Sequence, residues 1–288
     1  MKEEICREIR HFVGAAESNR FAESDEPYFD EPLIAFASAT DPLFTEYKAV
    51  IGEFHLTPRE LVASSTPDDL WQPATVICWV LPITERTRTS NRQARVYPSQ
   101  QWAETRNFGE EFNAALRRHV ITWLTGKGYR AAAPQLMPAW RELSESAVGV
   151  ASTWSERHAA FAAGLGTFSL NDALITPKGM AHRLGSVITD LTLEPSPRLY
   201  PERRANCLFF REGTCGVCIG RCPVGALSPR GHDKSRCRAY VYGTLPEAVA
   251  KGYGVAATGC GLCQTKVPCE GRIPAGRNPY PPASSGET

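Results

Sequence analysis

Eight of the ten cysteines fall between residues 207 and 269, as Cys207-x7-Cys215-x2-Cys218-x3-Cys222-Pro223, a lone Cys237, and Cys260-x2-Cys263-x5-Cys269. An iron–sulfur cubane needs four thiolates converging on one small volume. A tight Cys-x2-Cys-x3-Cys-Pro run followed by a second group is the pattern of a chain that holds two such clusters. In that pattern the cysteine before proline ligates the other cluster, because the proline turns the chain away from the first. The spacing therefore predicts Cys207, Cys215, Cys218 and Cys269 on one [4Fe-4S] cluster. Cys222, Cys237, Cys260 and Cys263 are expected on the other, with electron transfer as the chemistry. Zinc is the main rival, since Cys-x2-Cys pairs also build tetrahedral zinc sites, but a third cysteine four residues on and followed by proline is foreign to them. Disulfides are disfavoured: the start Met1-Lys2-Glu3-Glu4-Ile5 is charged and has no signal-peptide core, so a reducing cytoplasm is expected.

These thiols must be positioned by a larger body. With 288 residues, of which 42% are hydrophobic, the chain can build one large domain or two unequal ones. The expected division is an α/β body over 1–200 with a cofactor or substrate pocket, a two-cluster domain over 201–273, and a tail over 274–288 rich in Pro, Gly and Ser. The 32 basic and 31 acidic residues leave a net charge of +1, so no global field draws the chain to nucleic acid. Its longest apolar stretch, Thr75–Ile83, is too short to span a membrane. Thr75–Leu81 reads as a buried strand with Cys78 as a core residue, and Leu184–Leu191 as another strand. Ala103–Thr125 reads as a helix with Phe108, Phe112, Leu116, Val120 and Leu124 on one stripe, stopped by Gly126. A second helix is expected to open with a capping box, Thr153-x-x-Glu156, and to stop at Gly164. No phosphate loop, dinucleotide fingerprint, H-E-x-x-H or G-x-S-x-G element is present. Polar candidates for a site in the body are Tyr97, Arg106, Asn107, His158, Asn171 and His182. The glycines at 213, 216, 220, 259 and 261 are placed to offer backbone amides to cluster sulfurs.

The run Glu156-Arg157-His158-Ala159-Ala160-Phe161-Ala162-Ala163-Gly164-Leu165-Gly166, continuing through Asn171, Leu174-Ile175-Thr176-Pro177, Gly179 and Leu184-Gly185 to Thr189-Asp190-Leu191, resembles the core signature of epoxyqueuosine reductases and corrinoid reductive dehalogenases. The two-cluster cysteines follow it in the same order. The resemblance implies an α+β protein: a nitroreductase-like α/β body that holds cobalamin, followed by a small ferredoxin-like domain that delivers electrons from two [4Fe-4S] clusters. It implies that Ala163, Gly164, Leu165 and Gly166 lie close to the corrin, and that a ferredoxin or flavodoxin supplies the electrons. The relatives carry an aspartate, taken as proton donor, at the place where this chain has Val150. Valine transfers no proton. Only residues 270–288 follow the last cysteine, where tRNA-acting relatives continue into helical repeats, so a small-molecule or corrinoid substrate is expected and tRNA is not. The competing expectation is a non-catalytic electron-transfer or reductive-activation partner of another enzyme. A deep apolar cavity with polar residues at its base favours the enzyme.

Overall fold

The computed structural model describes residues 1–65 and 71–276. The last twelve residues of the expected tail lie outside them. At the centre is an antiparallel sheet of β1 (Leu33–Ser38), β2 (Thr75–Pro82), β3 (Ala131–Ala132) and β4 (His182–Thr189), in the order β1-β2-β4-β3. All eight residues of β2 are buried. Its side chains alternate between the two faces, as strand geometry requires. Val76, Cys78 and Val80 enter one core, and Ile77, Trp79 and Leu81 enter the other.

Each face is covered by helices, giving three layers. Helices α2 (Leu43–Ile51), α3 (Pro58–Ser65) and α6 (Glu156–Ala162) close the first core with Phe44, Tyr47, Leu61 and Ala160. Helix α1 (Lys2–Ala15) and the long α5 (Gln100–Gly126) close the second with Ile5, Ile9, Phe112, Leu116, Val120 and Leu124. The helix expected from Ala103 starts at Gln100 because Ser99 caps it, its hydroxyl accepting from Trp102 N at 3.2 Å. Gly126 is its last residue, and the chain turns at Gly128, where φ is +88°. The expected capping box does not form. Thr153 Oγ1 instead donates to Ala139 O and accepts from Arg141 N, Ser155 takes the cap position, and the Glu156 carboxylate lies 3.5 Å from Arg117.

The cysteine-bearing segment wraps back over the body. It contains α7 (Leu208–Glu212), α8 (Val217–Arg221) and α9 (Lys234–Ala239), the last continuing through two π-helical stretches to residue 250. A third core joins Leu170, Ala173, Ile175 and Met180 of the body to Cys207 and Val267. Polar contacts add to it. Arg92 on α4 (Glu85–Gln93) pairs with the buried Glu270 at 2.8 Å, and Asn91 Nδ2 donates to Thr265 Oγ1 at 3.1 Å. Arg221 donates to Ala94 O at 2.8 Å and to Asn91 O at 3.2 Å.

Candidate active site

The cysteines gather around two cavities. Cys207, Cys215, Cys218 and Cys269 line the first with Leu170, Met180, Phe209 and Val267. Cys222, Cys237, Cys260 and Cys263 line the second, of about 230 Å³. The thiols feel one another. Burial, then the neighbouring Cys207 and Cys215, pushes Cys218 up to about 11. Burial, with Cys237 and Cys222 adding to it, pushes Cys260 up to about 12. Cys263 is raised by burial, then by Cys260, Cys237 and Cys218, so the two sets lie near enough to feel each other's charge. Thiols held this far from ionisation become ligands only when a cation replaces their protons. Among the described residues no three His, Cys, Asp or Glu side chains converge closely enough to ligate a single metal ion.

Loop geometry fixes the second set. Gly259 and Gly261 have φ of +57° and +64°, the left-handed region that glycine adopts without penalty. A side chain at 261 would meet the Trp102 indole at 1.9 Å, and one at 259 the stem of Arg106 at 2.7 Å. The loop carrying Cys260 and Cys263 is therefore laid flat against α5. Asn171 Nδ2 donates to Cys263 O at 2.9 Å, and Arg221 Nε donates to Leu262 O at 3.1 Å.

Beside this cavity lies a larger chamber of about 560 Å³. Both are lined by Arg106, Arg157, Asn171, His182, Arg183, His232 and Cys237. The chamber adds Trp140, Val150, Leu184 and Tyr242. Arg183 is anchored from behind by Glu110, whose Oε2 accepts from Nε at 2.9 Å and also from Nη2. Arg117 takes the other oxygen, Oε1, at 3.0 Å. Burial alone would raise Glu110, but Arg183 and Arg117 hold it down at about 2. His182 donates from Nε2 to Leu174 O at 2.8 Å, which leaves Nδ1 a bare acceptor, buried without a partner. Burial lowers His182 to about 4, so it is neutral. His232 bridges Asp172, at 3.1 Å from Nδ1, and the neighbourhood of Cys237.

Of the body residues named from sequence, Arg106, Asn171 and His182 line the chamber, as does Val150. Tyr97, Asn107 and His158 do not. Tyr97 is exposed and lies near Tyr240. Asn107 Oδ1 accepts from Ala256 N and Ala257 N. His158 is half-buried, packed against Tyr47 and Phe168, with Nδ1 at 2.8 Å from Ser155 Oγ. The Ala163–Gly166 turn lines neither thiol cavity nor the chamber. A side chain at Gly164 would strike Pro197 O at 2.5 Å, and one at Gly166 Ile175 O at 2.4 Å. Close backbone packing accounts for both glycines. Arg157, Arg183, His232 and Tyr242 were not singled out from sequence, because only the tertiary fold brings residues of the body and of the cysteine segment to one wall.

Segments of curated epoxyqueuosine reductases match the chain: one from Bacillus anthracis is 34% identical over 119 residues, 40% of this chain and 29% of that protein. One from Gloeobacter violaceus is 37% identical over 125 residues, 40% of this chain and 34% of that protein. Among solved structures, a selenomethionine-labelled epoxyqueuosine reductase superposes on 95% of this chain and 69% of its own, with a TM-score of 0.56 at 19% identity. A catabolic reductive dehalogenase in complex with 3-bromo-4-hydroxybenzoic acid superposes on 95% of this chain and 37% of its own, with a TM-score of 0.51 at 14% identity. Part of the chain is thus similar in sequence to epoxyqueuosine reductases, and its fold is similar to those of epoxyqueuosine reductases and a reductive dehalogenase. The chain spans 29% and 34% of the two curated relatives, and the structural likeness is one of fold. No protein-family profile matches the chain. Among the described residues no helix is long and apolar enough to cross a membrane.

Proposed function

We propose that the protein is an iron–sulfur reductase of the epoxyqueuosine reductase and reductive dehalogenase superfamily that acts on a small molecule. In this reading a ferredoxin-like segment, 201–273, serves an α/β body, 1–200. Cys207, Cys215, Cys218 and Cys269 hold one [4Fe-4S] cluster, and Cys222, Cys237, Cys260 and Cys263 hold the other. The donor set supports this: each cavity is lined by four cysteines, the first among apolar side chains and the second beside Arg106, Arg157 and Arg183, and the two sets lie near enough for Cys218 to act on Cys263. Bound clusters would supply single electrons at low potential.

The observation that carries the proposal is that Cys237 lines both the second thiol cavity and the chamber. A reducible group in the chamber would therefore lie against a ligand of the inner cluster. The chain's own residues do the rest. Arg106, Arg157 and Arg183 make the shared wall cationic, Trp140 and Leu184 exclude water, and Asn171 and Arg221 hold the Cys260–Cys263 loop in place. A ferredoxin or flavodoxin would deliver electrons to the outer set.

Cobalamin is the second cofactor the superfamily implies. The turn Ala163–Gly166 does not fit it, because its open sides are filled by Pro197 and Ile175. The chamber, which borders the Cys237 cavity, is the space this reading gives to a corrinoid or a substrate. Val150, at the place of the relatives' aspartate, lines that chamber and offers no proton, which argues against reduction of the epoxide in tRNA.

Elemental analysis tests the reading on protein purified without oxygen, incubated with cobalamin and desalted. Two four-iron clusters require iron near eight per chain, on the order of the ligand count. Zinc in place of iron would end the redox proposal, and cobalt near one per chain would add the corrinoid.

A further inference from the structure

The wall shared by the chamber and the inner thiol cavity carries more positive charge than the fold neutralises. Glu110 takes Arg183 on Oε2 and Arg117 on Oε1, and Arg117 also lies 3.5 Å from Glu156. Arg238 is paired with Glu142, and His232 with Asp172. Arg106 and Arg157 are left over. Among the described residues neither lies within ion-pairing distance of a carboxylate. Arg157 donates to the backbone carbonyl of Asp172, at 2.9 Å, and its charge also favours the ionised Asp172 carboxylate. Arg106 is repelled by Arg183 and partly desolvated, which disfavours its charge, while Tyr242 and Glu110 offset part of this. Arg157 is exposed and Arg106 half-buried, and an anion accepting from both guanidiniums would complete the set. The chamber also offers apolar surface from Trp140, Val150, Leu184 and Val241.

We propose that Arg106 and Arg157, with Arg183 between them and the core, form a binding site for an oxyanion attached to an apolar body. A carboxylate or phosphate would accept from the two guanidinium forks while the remainder of the molecule lies on Trp140 and Leu184. The inference rests on the chamber being the substrate compartment and names the class of molecule it takes. Carboxylate on a substrate and phosphate on a corrinoid side chain share this chemistry.

The test is calorimetric titration of the cluster-loaded full chain with benzoate and with inorganic phosphate. One-to-one benzoate binding is expected, weakened at least about tenfold by Arg106→Gln and by Arg157→Gln, since a charge-assisted hydrogen bond is lost in each. Arg118→Gln, an exposed position on the same helix, leaves it unchanged. Benzoate affinity that survives saturating cobalamin assigns the site to the substrate, and displacement assigns it to the cofactor's phosphate. Unchanged benzoate affinity in both variants, or no binding of either anion, overturns the proposal. An altered cluster signal with unchanged anion binding would mean that the arginines serve the cluster instead. Iron is measured on the same samples, so missing clusters would sink the reductase reading while the titration still reads the arginines.

Discussion

Two residues separate alternative chemistries. Cys222 sits in the same tight run as Cys215 and Cys218, yet it lines the cavity of Cys237, Cys260 and Cys263. Replacing it in Cys222→Ser should therefore change the electron paramagnetic resonance signal of the inner cluster and leave the outer one intact. Loss of the outer signal instead would place Cys222 with its sequence neighbours. Val150 is the other. Because its side chain faces the chamber without a proton to give, the wild-type protein should show no turnover of epoxyqueuosine RNA with a low-potential donor. Turnover would show that another chamber residue supplies the proton.

At the scale of elements, the Gly259–Gly261 loop must lie flat on α5 to present its two cysteines. Gly261→Ala combines a left-handed backbone with a contact that the Trp102 indole already fills. The cost should be on the order of 1–3 kcal/mol. It should appear as loss of about half the iron, with the inner signal gone first. Gly213 has a similar φ of +66° but open space around it. Gly213→Ala should cost only about 1 kcal/mol of backbone strain and keep its iron. Retained iron in Gly261→Ala would show that α5 yields to the loop.

The sequence revealed these elements unevenly. The buried strand at Thr75, the stripe on α5 and the strand ending at Thr189 were legible, because periodicity and burial are local properties. The capping box at Thr153 failed because a carbonyl at Ala139, fourteen residues away, competed for the hydroxyl. Arg157 and Arg183 were invisible as a pair because their meeting depends on how α6 packs on β4, a tertiary contact that no local pattern encodes. The turn at Gly164 carried a motif's worth of glycine, yet the motif's meaning here is contact with Pro197. No spacing rule distinguishes a backbone neighbour from a cofactor.

Across the whole molecule, burial of neutral imidazoles makes stability depend on pH. Burial, then nearby Lys48, lowers His55 from 6.5 to about 4, and burial, then Arg157, lowers His158 to about 3. Below pH 6.5 the unfolded chain gains a proton at each, while the folded chain resists until pH 4 or lower. Stability is thus fully present above 6.5 and is lost as the pH falls through that window. Thermal unfolding followed from pH 7.5 to 4.5 should show a steadily falling midpoint. A flat profile would mean that both rings open to solvent more readily than their packing against Tyr47 suggests.

The contact between Trp102 and Gly261 also bears on inheritance. One volume is claimed by a helix of the body and by a loop of the cysteine segment, so neither position can drift in size alone. A lineage that enlarges residue 261 must shrink residue 102 in step. For the same reason, a cysteine segment transplanted from a relative will seat on this body only if its own residue at that point is as small as the one it replaces.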